Sequence, residues 1–223
     1  MSENISKNEN QKKQFDEEQY QMLRRCFEKR NITEWNDWRK ANKMTNIHLE
    51  GANLSCVNLE DANLSGANLK GANFFGSSLK CTNLSGANLE GADFDETYLE
   101  RTDLSGANLK RAWFSNSNLK RTNLSEANLE GAKLSGNDLE NPNFSGANLK
   151  GVHLTTAYLE RTDLSGANLE GAKLFGANLR SANLSKSNLK GVKLFGANLQ
   201  DADLSEANLE GADLRRAFFD GKK

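Results

Sequence analysis

The sequence contains few of the residues and segments that mark enzymes, secreted proteins or membrane proteins. In 223 residues it has three cysteines and two histidines, and its 29 basic residues nearly balance 30 acidic ones. A chain of net charge −1 creates no strong field that would steer it toward nucleic acid or an anionic membrane. Its hydrophobic content of 37% and mean hydropathy of −0.71 are low for a thick core, so a thin and elongated core is predicted.

Neither a membrane span nor a signal segment is recognisable. No apolar run is long enough to cross a bilayer, and the polar start of the chain lacks an apolar region. We therefore expect a cytoplasmic protein without membrane contact. Cys26, Cys56 and Cys81 match no metal-ligand spacing, and pairing two of them would leave an odd thiol, so all three are expected to be reduced and structural.

A five-residue repeat dominates the chain. From Leu49 to Phe219 every fifth residue is Leu or Phe, over 35 units without insertion or deletion, and most units read A-(N/D)-L-x-x. A five-residue step rotates a helical side chain by about 500°, which spreads the leucines around the axis, and an odd step reverses the face of a strand each time. Only a chain that turns after each short extended piece keeps the large and small residues of every unit on one inner side.

The charges indicate how many units make one coil. The residue after the large one alternates between Ser-like and charged, and residues of the charged series that lie twenty positions apart have opposite signs in thirteen of fourteen charged pairs. Stacked strands lie about 4.8 Å apart, where opposite charges stabilise each other. The pattern therefore predicts coils of twenty residues with four sides. Duplication of a longer ancestral unit would also produce this alternation.

With these motifs the chain resembles the pentapeptide-repeat family from about His48 to Asp220. The resemblance implies an all-β solenoid, namely a right-handed quadrilateral β-helix with Leu or Phe and the small residue inside and β-turns at the corners. Nearly nine coils at strand spacing would give a rod of roughly 40 Å. Because each coil pairs only with its neighbours, both ends of such a rod need a cover.

The sequence divides into three segments. Residues 1–13 are polar and predict a disordered tail, residues 14–45 predict a short α-helical N-terminal cap, and residues 46–223 form the pentapeptide-repeat β-helix. A first helix is expected from Phe15, and Thr33 is expected to be the N-cap of a second. Trp35 and Trp38 are interpreted as core residues that cover the first coil rather than as a ligand site.

A twenty-residue period sorts the repeats into four outer faces, three of them monotonous. The asparagine face has Asn at every twentieth position from 68 to 208, and the serine face has Ser at every twentieth position from 65 to 205. Such ladders typically satisfy turn and backbone groups, so a structural role is predicted for both. The tyrosine face, with units centred on Leu59 and Leu79, adds Tyr98, Tyr158, Arg101, Arg121 and Arg161.

The irregular face, with units centred on every twentieth residue from 54 to 214, departs from the pattern. Clustered outward aromatics beside stacked cations are typical of a contact surface. The alternative is that these residues form no binding site, and that Phe175 and Phe195 only stack on each other beneath the aliphatic parts of lysine side chains. The candidate protein-contact residues are Phe75, Trp113, Lys133, His153, Lys173, Phe175, Lys193 and Phe195.

We expect no catalytic residue, no cofactor and no metal. His48 and His153 lie about five coils apart and cannot share a site, and the recurring Ser-Gly pairs are turn chemistry. The leading hypothesis is a non-catalytic protein-binding or scaffolding module whose partner the sequence does not identify. Direct nucleic-acid binding is not expected from a chain whose charges are interleaved.

The alternative is the DNA-mimicking activity implied by the family, in which a rod modulates a type II topoisomerase and protects it from quinolones. That mechanism requires a strongly acidic rod, whereas residues 46–223 contain 22 acidic and 19 basic residues. A third function class is the binding of ice or crystal surfaces by the flat serine and asparagine ladders. The sequence shows no secretion signal to support it.

The far end of the repeats suggests self-association. An uncovered terminal coil exposes apolar side chains and unpaired backbone groups, and such edges promote end-to-end pairing. Phe218 and Phe219 are the candidate residues for a weak homodimer through the C-terminal end. Alternatively, Phe219 plugs the end and the surrounding basic residues repel a second copy.

Overall fold

Two helices precede the repeats in the computed structural model, which describes residues 15–137 and 139–219. Helix α1 spans Glu17–Glu28, and its N-cap Asp16 accepts hydrogen bonds from the backbone N–H groups of Glu18 and Gln19. The expectation that this helix includes Phe15 is wrong, because Phe15 forms an antiparallel bridge with Leu49 before the chain turns into α1. The predicted disordered tail, residues 1–13, lies outside the described residues.

Helix α2 spans Thr33–Ala41. Thr33 is its first residue and not its N-cap, so this prediction is also wrong. The cap position belongs to Ile32, which has no side-chain oxygen, and Asn31 accepts the hydrogen bond from the Thr33 N–H instead, at 2.9 Å. An amide oxygen two residues before the helix thus performs the capping function that the sequence assigned to the threonine hydroxyl.

The repeats form coils of twenty residues, which confirms the period predicted from the charges. Isolated parallel bridges join residues twenty positions apart, in four columns that run along the repeats. For example, the N–H of Asn83 donates to the carbonyl of Ala62 at 2.9 Å, and the carbonyl of Asn83 accepts from the N–H of Leu64 at 2.8 Å. Each coil is therefore held by short extended pieces rather than by long strands.

Corners between the sides are β-turns, as predicted. The N–H of Ala62 donates to the carbonyl of Leu59 at 3.0 Å, and Asp61 between them has a φ of 60°. A positive φ at this turn position favours glycine. The repeats place glycine at many of the corners, but Cys56 and Arg121 adopt the same left-handed conformation at a φ of 56°.

The core is a column of apolar side chains inside the coils. Every Leu or Phe of the repeat from Leu49 to Leu199 has at most 2% of its surface exposed. Most of the polar residues at the small inward position donate to a carbonyl of the previous coil, as Thr82 does to Leu59 at 2.7 Å. The Ser187 hydroxyl instead donates to the carbonyl of Leu184 three residues earlier, and the buried Thr162 hydroxyl has no hydrogen-bond partner among the described residues. The rings of Phe74, Phe94 and Phe114 stack at 4.9 Å on successive coils. The predicted inward positions are confirmed.

The two helices cover the first coils. Trp35 is fully buried and its indole N–H donates to the carbonyl of Asn63 at 2.9 Å, while its ring contacts that of Trp38 at 5.3 Å between centroids. Arg39 donates to the carbonyl of Ser65 at 3.0 Å. The interpretation of Trp35 as a core residue is confirmed, and Trp38 is partly buried and packs against the same core. Neither helix of the described residues is long and apolar enough to cross a bilayer.

The three cysteines are free, but only Cys26 is buried. Burial raises the pKa of its thiol, because the thiolate would lose its hydration. Cys56 and Cys81 are exposed at coil corners, so the expectation that all three have a structural role is wrong for these two. The fifth position of a unit points outward whatever residue occupies it.

Candidate protein-contact surface

The asparagine and serine faces use their polar groups internally. From Asn88 to Asn208, each asparagine amide of this column donates to the side-chain oxygen of the asparagine twenty residues earlier, at 3.0 to 3.4 Å, and the amide of Asn68 donates to the Glu50 carboxylate. On the serine face the hydroxyl of Ser65 donates to the side-chain oxygen of Asn63 at 2.7 Å, and Ser185 does the same to Asn183. The structural role predicted for both ladders is confirmed.

Charges on the asparagine and tyrosine faces form ion pairs between adjacent coils. Lys110 contacts Glu130 at 3.0 Å, and Lys120 contacts Glu140 at 2.9 Å. Each of these lysines pairs with the glutamate twenty residues later in the chain. The alternating charge pattern therefore places opposite charges in contact, as predicted.

The irregular face holds most of its candidate residues in one continuous strip. One column of bridges runs from Asn53 to Asp213 and passes in order through Trp113, Lys133, His153, Lys173 and Lys193. Phe175 and Phe195 lie two positions after Lys173 and Lys193 in the same two coils. Phe75 is on the same face but is separated from Trp113 by a complete coil, so the structure does not join it to the strip.

Aromatic side chains on this face are exposed to different degrees. Trp113 is 46% exposed, Phe75 40% and Phe175 37%, whereas Phe195 is half-buried. The Lys133 ammonium nitrogen lies 3.6 Å from the centroid of the Trp113 ring, and the Arg216 guanidinium lies 5.3 Å from that of Phe195. Cation–π contacts of this kind hold the rings in place without removing them from solvent.

Two titratable groups of the strip have shifted pKa values. Partial burial lowers the pKa of His153 below its ordinary 6.5, and the positive charges of Lys173 and Lys133 lower it further. At the far end of the column, hydrogen bonds from Arg215 lower the pKa of Asp213 to about 2. The Asp213 carboxylate is therefore already engaged by a neighbouring guanidinium.

The tyrosine face adds exposed aromatics that the candidate residues omit. Tyr98 is 51% exposed and Tyr158 63%, and both belong to the column of bridges next to the irregular face. A cavity of about 480 Å³ beside Tyr158 is also lined by Leu139 and Arg161. Both tyrosines occupy the outward position before the large residue of their unit. This position could have identified them as exposed contact residues from the sequence.

The candidate residues at the C-terminal end lie in the last described coil. Phe218 pairs with Asn198 in a parallel bridge and is 61% exposed, and Phe219 is 45% exposed. Leu209 and Leu214, which occupy inward positions of this coil, are only half-buried. No described coil covers them.

These features define a repeat solenoid whose coils contain four five-residue units. The sequence profile of the pentapeptide repeats matches eight copies, over residues 43–80, 82–121, 117–155, 153–191 and 193–221. The chain belongs to the pentapeptide repeat family.

Several solved structures are similar to the chain. HetL, a pentapeptide repeat protein involved in heterocyst differentiation regulation from the cyanobacterium Nostoc sp. strain PCC 7120, is 31% identical, with 84% of this chain and 98% of HetL covered and a TM-score of 0.36. Rfr23 from the cyanobacterium Cyanothece 51142 is 29% identical, with 62% of this chain and 91% of Rfr23 covered and a TM-score of 0.43. QnrB1, a plasmid-mediated fluoroquinolone resistance protein, is 22% identical, with 72% of this chain and 81% of QnrB1 covered and a TM-score of 0.39. Comparison with curated proteins gives no match.

Proposed function

We propose that this pentapeptide-repeat chain is a non-catalytic module that binds a protein partner, or scaffolds several, through the irregular face and the adjoining tyrosine face. We also infer that its four bridge columns form the sides of a right-handed quadrilateral β-helix, as family membership implies. One observation carries the functional proposal. Within the described repeats, every large apolar side chain that is exposed lies on these two adjoining faces.

The backbone explains why these side chains remain available to a partner. Trp113 is bridged to the coils on both sides, through Asp93 and Lys133, and Tyr158 is bridged to Asn178, so neither side chain can move into the core without breaking these bridges. The other two faces present asparagine amides and serine hydroxyls, and the asparagine amides and four of the hydroxyls already hydrogen-bond within the rod. Clustered exposed aromatics on a rigid support are typical of protein-contact surfaces.

Capture from a lysate of the source cell tests this proposal. The unmodified chain is compared with Trp113→Ser combined with Phe175→Ser, which removes two exposed rings from the irregular face. The control combines Lys110→Ser with Glu170→Ser on the asparagine face. We expect a protein that is captured by the unmodified chain and the control but lost with the first variant. Equal capture by all three would contradict a role for this face.

The charge distribution does not favour topoisomerase modulation through DNA mimicry. Lysine–glutamate pairs such as Lys70–Glu90, at 3.4 Å, and Lys150–Glu170, at 3.1 Å, alternate signs along the rod. A phosphate-like stripe needs uninterrupted negative charge. We therefore retain protein binding through the aromatic faces as the proposed function.

A further inference from the structure

Four consecutive coils of the irregular face carry a basic column made of Lys133, His153, Lys173 and Lys193. Parallel bridges join each of these residues to the next. At a coil spacing of about 4.8 Å, their backbones span roughly 14 Å along the rod. The three lysines are exposed and His153 is half-buried. The column is therefore a narrow cationic strip that solvent can reach.

The basic column lacks the counter-charges of the neighbouring row. On the asparagine face, Lys150 pairs with Glu170 and Lys190 pairs with Glu210, at 3.1 and 2.9 Å. Among the described residues, none of the three lysines in the basic column forms an ion pair with a carboxylate. Lys173 and Lys193 lie on adjacent coils, and like charges on adjacent strands repel each other. An anion from outside the chain would relieve this repulsion.

Carboxylates at the ends of the column do not supply that anion. Asp213 follows Lys193 in the same column of bridges and is close enough for the lysine charge to help lower its pKa, but the Arg215 guanidinium holds the carboxylate through two hydrogen bonds of 2.9 Å. At the other end, Trp113 separates Asp93 from Lys133, and Lys133 lies against the Trp113 ring. The positive charge of Lys173, in the middle of the column, thus has no carboxylate partner among the described residues.

The surroundings of the column let another main chain approach. Its flanking corners are mostly glycine, and a Cβ placed at Gly151, Gly171 or Gly191 would meet no other atom within 4 Å. The exposed ring of Phe175 lies beside the column, two residues after Lys173. The basic column thus combines cationic side chains, flanking glycine corners without bulky side chains, and one exposed apolar ring.

We propose that the basic column, together with Phe175, binds an acidic segment of a partner protein. This inference rests on the proposed function and names the chemistry of the partner. Carboxylates of the segment contact the lysines, and an apolar side chain packs on Phe175. A nucleic-acid backbone fits less well, because the strip is only one residue wide.

Fluorescence anisotropy with a defined probe tests the inference. The probe is a short fluorescein-labelled peptide of Glu residues containing one Phe, and the neutral control replaces every Glu by Gln. The test variant combines Lys173→Gln with Lys193→Gln. A matched control combines Lys150→Gln with Lys190→Gln, which removes the same number of charges from the ion-paired row of neighbouring coils. Circular dichroism establishes that each variant retains the fold.

We expect the acidic peptide to bind the unmodified chain and to lose affinity as salt is added, because exposed charges are screened. The test variant should weaken binding about tenfold, and the control variant less than about threefold. Equal weakening by both variants, equal binding of the neutral peptide, no binding of the acidic peptide, or tighter binding of labelled oligothymidylate would each overturn the inference. If the test variant still captures the cellular partner as well as the unmodified chain, the inference fails while the proposed function stands.

Discussion

At the scale of single residues, the inward leucines carry most of the stabilising contacts. Leu109 is fully buried, with a complete coil above it and below it, and its N–H donates to the carbonyl of Asn128 at 2.7 Å. Burial of a leucine side chain removes apolar surface from water, and a rigid stack cannot collapse into the space that a truncation leaves.

Leu109→Ala should therefore reduce the free energy of unfolding by about 2–5 kcal/mol, through lost transfer energy and an internal cavity. Denaturant unfolding followed by circular dichroism measures the loss. Leu209→Ala is the matched control, because Leu209 is only half-buried in the last described coil and should cost less. A loss below about 1 kcal/mol at Leu109 would mean that this side chain does not fill the core.

His153 makes stability depend on pH in a defined direction. Its folded-state pKa lies below its ordinary value of 6.5, because of partial burial and of Lys173 and Lys133, so the folded chain binds fewer protons there than the unfolded chain. Stability is then fully present above the unfolded pKa and falls as the pH drops below about 6.5. Unfolding measured across this range should show a slope that His153→Gln reduces. An unchanged slope in the variant would contradict the assignment.

Between neighbouring coils, ion pairs support the register that the bridges establish. Lys110 contacts Glu130 at 3.0 Å, whereas Glu90, the other glutamate twenty residues away, pairs with Lys70. Both side chains of the Lys110–Glu130 pair are about a third exposed or more, so the pair contributes modestly.

A double-mutant cycle of Lys110→Ala and Glu130→Ala should give a coupling free energy of about 0.2–1 kcal/mol that decreases as salt is added. The cycle of Lys110→Ala with Glu100→Ala should give almost none, because Glu100 pairs with Lys80. Thermal or denaturant unfolding of the single and double variants provides both values. Equal coupling to the two glutamates would contradict the twenty-residue coil.

On the scale of the whole molecule, the repeats form a one-dimensional stack in which each coil is stabilised by its neighbours. Helix α1 contacts the first coil through Tyr20, whose hydroxyl donates to the carbonyl of Asn53 at 2.9 Å. Helix α2 covers the first coils through Trp35 and Arg39. At the other end of the described residues, Leu209 and Leu214 are half-buried and Phe218 is 61% exposed. The two ends of the described stack are thus covered unequally.

We propose that Phe218 and Phe219 form a weak end-to-end dimer contact. Light scattering over a concentration series should then show a mass that rises with concentration. Phe218→Asp should abolish this rise, and the control Phe75→Asp, at an exposed ring far from the end, should leave it unchanged. A monomer at every concentration of the unmodified chain would rule out the contact.

The sequence alone determined the coil and its contents. The five-residue spacing of Leu and Phe identified the buried large residues from Leu49 to Leu199, and the charges twenty residues apart identified the coil length. Both patterns could be read from the sequence because the same unit repeats along the chain. The irregular face was also recognisable, since Trp113 and Lys133 depart from the asparagine that fills this position in other units.

Only the tertiary structure decided the features that depend on neighbouring elements. Phe15 pairs with Leu49 instead of starting α1, and Asn31 caps α2 in place of Thr33. Likewise, the exposure of Tyr158 and the isolation of the basic column follow from which side chains the adjacent coils bring into contact. A repeat specifies which way each side chain points, but burial and ion pairing are properties of two coils packed together.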